Sequence, residues 1–403
     1  MKINKSLILL LSTCSAMVVA FLINIMLTRS ISKEEFGNYS FILNLFIFGQ
    51  VLFNFGYFYA LSRLIAQSDD EIYIRKMYGV GILFLLCFSV LMSLSLYSYI
   101  TYLSALDVQV IEGVLFLLPF SGIFLFNNYC ELLLQSSNRI GLLSFYRFFP
   151  KFVFCLGITC FYFSFINLRF IDIFYLYTCS FLLGIFYVVY KTRPILSKVK
   201  VLFRETIKSS KNFGFNVYLG SLVAVGSSTL TGILIGVFGI DNQEVASYTI
   251  ALQLTAPLLL IPNVLGTSHF KDFTHSNRIA PKLLLYVYAI SCCAVFFVFC
   301  FADFLVKLFF KDIYSDVIIL FKILTVGSVL YGLSNFYNKF LLSKGEGKII
   351  RNISFAVGIS LLISNFILIR PYGATGASIA FVISGVTYLL MVQRCYIKIT
   401  RQL

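Results

Sequence analysis

The sequence predicts an all-α integral membrane protein with twelve transmembrane helices in two six-helix bundles. Of its 403 residues, 59% are hydrophobic and 12% are charged, whereas soluble domains are about 45–50% apolar and about 25% charged. Apolar segments of about 20 residues, the length needed to cross a bilayer, recur twelve times. The two halves of the chain also resemble each other, which predicts a duplicated bundle.

The twelve predicted spans are evenly divided, six before the middle of the chain and six after it. They cover residues 7–28, 38–61, 78–100, 112–135, 140–164, 171–190, 213–236, 245–266, 283–302, 314–342, 349–369 and 373–394. Because the number is even, both termini are expected on the same side of the membrane.

The distribution of basic residues predicts which side that is. With both termini inside, the inner segments hold 22 Lys and Arg and the outer loops hold 6. Cytoplasmic loops carry the excess of bases in membrane proteins, so both termini are predicted to be cytoplasmic. The net charge of +15 therefore reflects sidedness in a bilayer, and we expect no nucleic-acid partner.

A basic segment separates the halves. Residues 191–211 contain seven Lys or Arg and one acid, Glu205, and this predicts a domain of residues 1–190, a cytoplasmic linker of residues 191–211 and a second domain of residues 212–403. Apolar residues such as Leu202 and Ile207 recur at helical spacing, which suits a helix on an anionic membrane surface. A solvated basic loop explains the composition equally well.

The repeat is visible when the sequence is shifted by 209 residues. Glu35 then aligns with Glu244, and Tyr39 aligns with Tyr248. A second match, at nearly the same shift, places residues 127–134 on residues 335–342. Because each half has an even number of spans, the repeat is parallel, with its axis along the membrane normal and a substrate path expected between the halves.

Three stretches carry a resemblance to a known family: RSISKEEFGNY at 29–39, NFYNKFLLSKGEGK at 335–348 and YGATGA at 372–377. With these motifs the chain resembles the O-antigen (Wzx-type) polysaccharide repeat-unit flippases, in the superfamily that includes multidrug and toxic-compound extrusion (MATE) transporters. The resemblance implies a MATE-like fold in a bacterial inner membrane.

The same resemblance implies a function. The expected cargo is an O-antigen, lipopolysaccharide or capsule repeat unit on undecaprenyl pyrophosphate, flipped from the inner to the outer leaflet by alternating access. Membrane lipids, a polysaccharide polymerase and a chain-length regulator are the further expected partners. No cofactor is implied.

Span five contains two bases, Arg147 and Lys151. At 1.5 Å per residue they lie about 12 Å and about 18 Å in from Arg139, so Lys151 is near the bilayer middle. Each charge costs about 2.5–3.5 kcal/mol to insert at a helix centre, which predicts that both bases face a cationic, substrate-binding cavity. The alternative for Arg147 is an ion pair with Glu131 of span four, which is the candidate for an ion pair or for ion coupling.

Other polar residues in the spans are further candidates. Lys322 either faces the cavity or extends its ammonium group to the outer surface. Lys339 lies near the inner end of its span. It either faces the cavity, extends its ammonium group to the inner surface or forms an ion pair. Amides serve as links between helices or as partners for sugar hydroxyls, and we favour the first role for most of them. The candidates for a polar cavity are Asn24, Asn54, Asn127, Asn335 and Asn338.

No motif in the sequence points to catalysis or to a metal. A phosphate-binding glycine loop, a nucleophile elbow and HExxH are all absent from the sequence, so we expect no catalytic residue, no metal site and no enzyme. Two other functions remain as alternatives: a MATE-like exporter of drugs or cations, and a membrane polysaccharide polymerase. The first needs acids in the spans, where bases outnumber them, and the second usually has a large outer loop or an acidic cluster.

Overall fold

A computed structural model describes residues 5–102, 107–163, 168–239, 241–310, 312–344 and 346–402. Within these ranges the chain forms helices and no strand, which confirms the predicted all-α class. The chain divides into two compact units, Met1–Leu222 and Val223–Leu403, and each is described by itself.

The described residues of the first unit form nine α-helices and the beginning of a tenth. They are α1 (Lys5–Ser30), α2 (Lys33–Leu52), α3 (Tyr57–Ala66), α4 (Glu71–Tyr102), α5 (Val108–Leu117), α6 (Gly122–Ser136), α7 (Ile140–Phe163), α8 (Phe170–Thr192) and α9 (Val199–Ser209). Helix α7 packs along α1 and α8 and also contacts α6. This arrangement places Arg147 of α7 beside Thr13 of α1 and Glu131 of α6.

Two predicted spans of this unit are broken. Residues 38–61 were predicted as one span, but α2 and α3 meet at a bend of 60°. Residues 112–135 are likewise divided by a bend of 53° between α5 and α6. The second bend contains Pro119 in a short 3-10 turn, Leu118–Phe120, and proline breaks a helix because it lacks the N–H donor and clashes with the preceding turn.

The basic linker is helical only in its second part. Helix α9 buries Leu202 and Thr206, it packs on α3 and α4, and the ring of Phe203 stacks on Phe84 with centroids 4.4 Å apart. The predicted amphipathic helix is therefore present in place of a solvated loop at Val199–Ser209, and its apolar side packs on its own unit. Contact of this helix with a membrane surface stays a prediction.

A π-helical segment, Ser210–Gly214, leads into α10 (Phe215–Phe238), which crosses from the first unit to the second. The second unit continues with α11 (Asn242–Ser268), α12 (Phe270–His275), α13 (Pro281–Phe309), α14 (Val317–Ser343) and α15 (Gly347–Gln402). Helix α14 contacts α11, α13 and α15 and is the central helix of this unit.

Helix α15 contains the last two predicted spans, which meet at Gly373. The backbone of Gly373 is non-helical, with φ of 53°, and a side chain there would collide with the Glu244 carboxylate. That carboxylate accepts a hydrogen bond of 3.0 Å from the Ala374 amide, so Glu244 supplies an acceptor at the start of the second segment. The glycine at position 373 of the YGATGA motif is therefore explained by backbone geometry.

The number of spans is close to the prediction. Nine helices in the described residues are long and apolar enough to cross a membrane, or eleven if each bent pair is one span, and α15 is counted once. The predicted number of twelve stays a prediction.

The internal repeat extends to hydrogen bonds at equivalent positions. Helices α2 and α11 begin 209 residues apart, as do α5 and α14. In the first unit Asn38 donates to the Asp107 carboxylate at 2.9 Å, and in the second Ser247 donates to Asp316 at 2.5 Å. The donor and the acceptor of the second pair each lie 209 residues after those of the first. This correspondence supports duplication more strongly than a similarity between apolar segments does.

Candidate functional site

Helix α7 carries the two intramembrane bases of the first unit. It runs from Ile140 to Phe163 without interruption, although Pro150 lies inside it. The proline ring is accommodated because Gly184 of α8 lies beside it, where a larger side chain would meet the ring at 2.6 Å. This close approach fixes the rotation of α7 and hence the direction of the residues next to Pro150.

Arg147 is neutralised by an ion pair. Its Nε donates to Glu131 Oε1 at 2.7 Å, and its Nη2 donates to Glu131 Oε2. The remaining Nη1 donates to the hydroxyl of Thr13 at 2.9 Å. The ion pair that the sequence left open for Arg147 is therefore present, and the guanidinium links α7 to α6 and α1 with the two-pronged geometry that arginine provides.

Lys151 lies one turn further along α7 and is half-buried. In the part of the chain that the structure describes, it makes no hydrogen bond and no ion pair. Glu131 pairs with Arg147 through both of its carboxylate oxygens and forms no ion pair with Lys151. One positive charge in this span therefore lacks a compensating contact among the described residues.

The two candidate bases of the second unit differ in whether they have a carboxylate partner. Lys322 donates to the Asp303 carboxylate of α13 at 3.1 Å, which accounts for its charge. Lys339 is half-buried and its stem lies beside Gly266 of α11, and it has no ion pair with the described residues. Lys339 thus remains a candidate for the cavity, whereas Lys322 has a local partner.

Three of the five candidate amides link helices. The Tyr146 hydroxyl donates to Asn127 at 2.6 Å, and the Tyr388 hydroxyl donates to Asn335 at 3.1 Å while accepting from Asn338 at 3.0 Å. Asn54 is buried at the α2–α3 bend, where its Oδ1 has no partner among the described residues. Asn24 is half-buried on α1.

The sequence did not identify two of the partners. Thr13 is an ordinary polar residue of the first span, and nothing in its spacing relates it to Arg147. Asp303 was assigned to an outer loop, but α13 extends to Phe309 and carries it beside Lys322. Only the packing of helices from distant parts of the chain could reveal these contacts.

A family profile described as "Polysaccharide biosynthesis protein" matches residues 3–270. The chain belongs to this family. The match covers more than half of the sequence and includes the helices from α1 to α11. A search of the curated proteins returned no match.

Solved structures share the fold of this family member at low sequence identity. An inward-facing multidrug resistance MATE transporter of the MOP superfamily has a TM-score of 0.74 at 15% identity, covering 96% of both chains. The lipid II flippase MurJ, in an inward closed conformation, has a TM-score of 0.75 at 14% identity, covering 98% of this chain and 90% of its own.

A third neighbour is a MOP superfamily transporter from Pyrococcus furiosus, described by the reverse polarity of its binding pocket. It has a TM-score of 0.59 at 14% identity, covering 98% of this chain and 95% of its own. Together these likenesses establish a MATE- and MurJ-like fold. The described helices that are long and apolar enough to cross a membrane agree with this fold and indicate a multi-pass membrane protein.

Proposed function

We propose that this protein flips an oligosaccharide linked to undecaprenyl pyrophosphate from the inner to the outer leaflet of a bacterial inner membrane, by alternating access. The cargo class would be the repeat unit of an O-antigen or capsule. The observation that carries the proposal is the charge of Lys151, which has no ion pair with the described residues. The chain that holds this charge belongs to a polysaccharide biosynthesis family.

The sign of this charge favours an anionic cargo. An exporter of organic cations needs a carboxylate that is free to pair with its substrate. Glu131 in α6 is engaged on both oxygens by Arg147, and Asp303 in α13 is engaged by Lys322. The pyrophosphate of a lipid-linked sugar instead matches an available ammonium group.

Arg147 and Lys151 would have different roles in this function. Arg147 holds α1, α6 and α7 together and so positions Lys151 one turn away. Lys151 would bind a phosphate oxygen of the cargo. The contact between the ammonium group and the phosphate would replace the water that both groups lose on burial. Release would follow when the path opens to the other side and water again solvates both groups.

Substitution of Lys151 tests the proposal. In a strain that lacks the native gene, Lys151→Ala is expected to reduce surface polysaccharide, while the amount of protein in the membrane stays normal or rises because an insertion cost is removed. Lys151→Arg should retain part of the export and Lys151→Glu should abolish it. The measurements are polysaccharide at the cell surface and immunodetection of the protein.

A matched control removes one positive charge elsewhere. Lys200 is exposed in α9, and Lys200→Ala should export normally. A cysteine at position 151 in a parent freed of its ten native cysteines should react with a polar thiol reagent. Normal export by Lys151→Ala, or an unreactive cysteine at 151, would place the residue among packed helices and contradict the proposal.

A further inference from the structure

A second cationic feature lies at the C-terminal end of α8, away from Lys151. An open cavity of about 360 Å³ is lined there by Glu71 at the start of α4, by Tyr190 and Thr192 of α8, and by four bases. The bases are Arg75, Arg139, Lys191 and Arg193. Four bases surround one acid, so the cavity is strongly positive.

Two of the bases are held in place by the end of α8. Arg75 donates from Nε to the Arg193 carbonyl at 2.8 Å. Arg139 donates from Nη1 to the Lys191 carbonyl at 3.2 Å, and its Nη2 pairs with Glu71. The last carbonyls of a helix carry partial negative charge, so these contacts fix both guanidinium groups at the cavity.

Three positive groups remain available to a ligand. Among the described residues, the charged groups of Arg75, Lys191 and Arg193 have no carboxylate partner, and Glu71 is engaged by Arg139. Guanidinium and ammonium groups that converge on one space bind phosphate oxygens well. The chemistry of the cavity therefore matches a phosphate group.

The surface of α8 next to the cavity is apolar and exposed. Leu183, Phe186 and Tyr190 are 54%, 75% and 60% exposed and follow one another at helical spacing along one face. The Lys191 ammonium lies 5.9 Å from the centroid of the Tyr190 ring, so this face leads directly to the bases. A ligand that matches both surfaces has an anionic head and a hydrocarbon chain.

We propose that the cavity binds the phosphate of an anionic phospholipid, with an acyl chain lying along the exposed face of α8. Basic pockets between helices at the inner surface of a membrane are suited to anionic head groups, and the charge count predicts that this end of α8 is cytoplasmic. The site is separate from the cargo contact proposed for Lys151 and does not depend on it. The bound lipid would tie the end of α8, and the linker that follows, to the membrane surface.

Tryptophan fluorescence tests the proposal, because the chain contains no tryptophan. A Tyr190→Trp variant of the full chain, reconstituted in nanodiscs, would report on the cavity alone. Brominated lipids quench tryptophan on contact, so quenching by brominated phosphatidylglycerol is compared with quenching by brominated phosphatidylcholine. We expect a preference for phosphatidylglycerol of about fivefold or more, the effect expected of even one base acting on an anionic lipid.

Three controls locate the effect. Phe186→Trp, one turn earlier on the same helix face, should show a weaker preference. Adding Lys191→Gln and Arg193→Gln to the Tyr190→Trp variant should remove the preference, whereas adding Lys200→Gln and Arg204→Gln, an equal loss of charge on exposed α9 residues, should leave it intact. Millimolar inorganic phosphate at constant ionic strength should not change the result.

Several outcomes would overturn the proposal. Equal quenching of the Tyr190→Trp variant by both lipids would show that no anionic lipid is selected. An equal loss of preference with the two α9 substitutions would indicate diffuse attraction to the membrane surface. Displacement by inorganic phosphate would identify a site for a free anion instead of a lipid.

Discussion

At the scale of single residues, Glu131 decides which base of α7 is left with an available charge. Both of its oxygens bind Arg147, and neither forms an ion pair with Lys151. The side chain of Glu131 is 40% exposed and that of Arg147 is 25% exposed, so water screens the pair in part. Its contribution is accordingly smaller than that of a fully buried pair.

Removing one member of this pair should cost more than removing both. Glu131→Gln leaves the Arg147 guanidinium without its counter-charge and should destabilise the protein by roughly 1–3 kcal/mol. The double variant Glu131→Met with Arg147→Met should recover much of that loss. Thermal unfolding of the purified protein in detergent measures both changes. The control is Glu34→Gln, at an exposed position in the first turn of α2.

The pair would be unimportant if Glu131→Gln melted at the wild-type temperature. If instead the double variant were as unstable as the single one, the packing of these side chains would matter and their charges would not.

At the scale of helices, the break between α2 and α3 depends on a glycine. Gly56 has φ of 81°, a conformation that costs other residues about 1–2 kcal/mol. A side chain there would also meet the Gly214 backbone at 2.5 Å, in the π-helical segment that precedes α10. Two irregular stretches of backbone thus pack directly on each other, and neither leaves room for a Cβ atom.

Gly56→Ala should therefore destabilise the protein by roughly 2 kcal/mol or more, from the left-handed conformation together with the steric conflict. Gly220→Ala is the matched control, because its Cβ would enter open space within α10 and alanine favours a helix over glycine by about 1 kcal/mol. Unfolding temperatures in detergent compare the two. Equal melting of Gly56→Ala and wild type would show that the α2–α3 break tolerates a side chain.

At the scale of the whole molecule, the internal duplication and the uneven distribution of bases both bear on the membrane topology. The hydrogen bonds Asn38–Asp107 and Ser247–Asp316 recur 209 residues apart, as expected if each unit repeats one arrangement of helices. The bases divide 22 to 6 between the predicted inner and outer segments. A duplicated unit with the same orientation requires an even number of crossings in each half.

Reporter fusions test this topology. Fusions after Lys211 and after Arg401 should read cytoplasmic, and fusions within residues 303–312 should read periplasmic, because the excess of bases keeps its segments inside. A fusion after Ser30, in a predicted outer loop, serves as a second periplasmic point. A periplasmic result at Lys211 would contradict both the topology and the parallel repeat.

The fold class, the repeat and the family all follow from the order of residues along the chain. Three features can be read along the chain. They are hydrophobic segments of membrane length, an excess of bases on alternate loops, and motifs that recur at a fixed offset. They need no contact between distant residues. The depth of Lys151 also followed from counting residues along one helix.

Which charges remain available depends on how the helices pack together. Arg147, Lys322 and Lys151 are all bases within predicted spans, and the sequence could not distinguish them. The structure places Glu131 and Thr13 against Arg147, and Asp303 against Lys322. An ion pair depends on distances of a few ångströms between separate helices, and helix packing alone sets those distances. The cavity at the end of α8 was hidden for the same reason, since Arg75, Arg139 and Arg193 come from three distant parts of the chain.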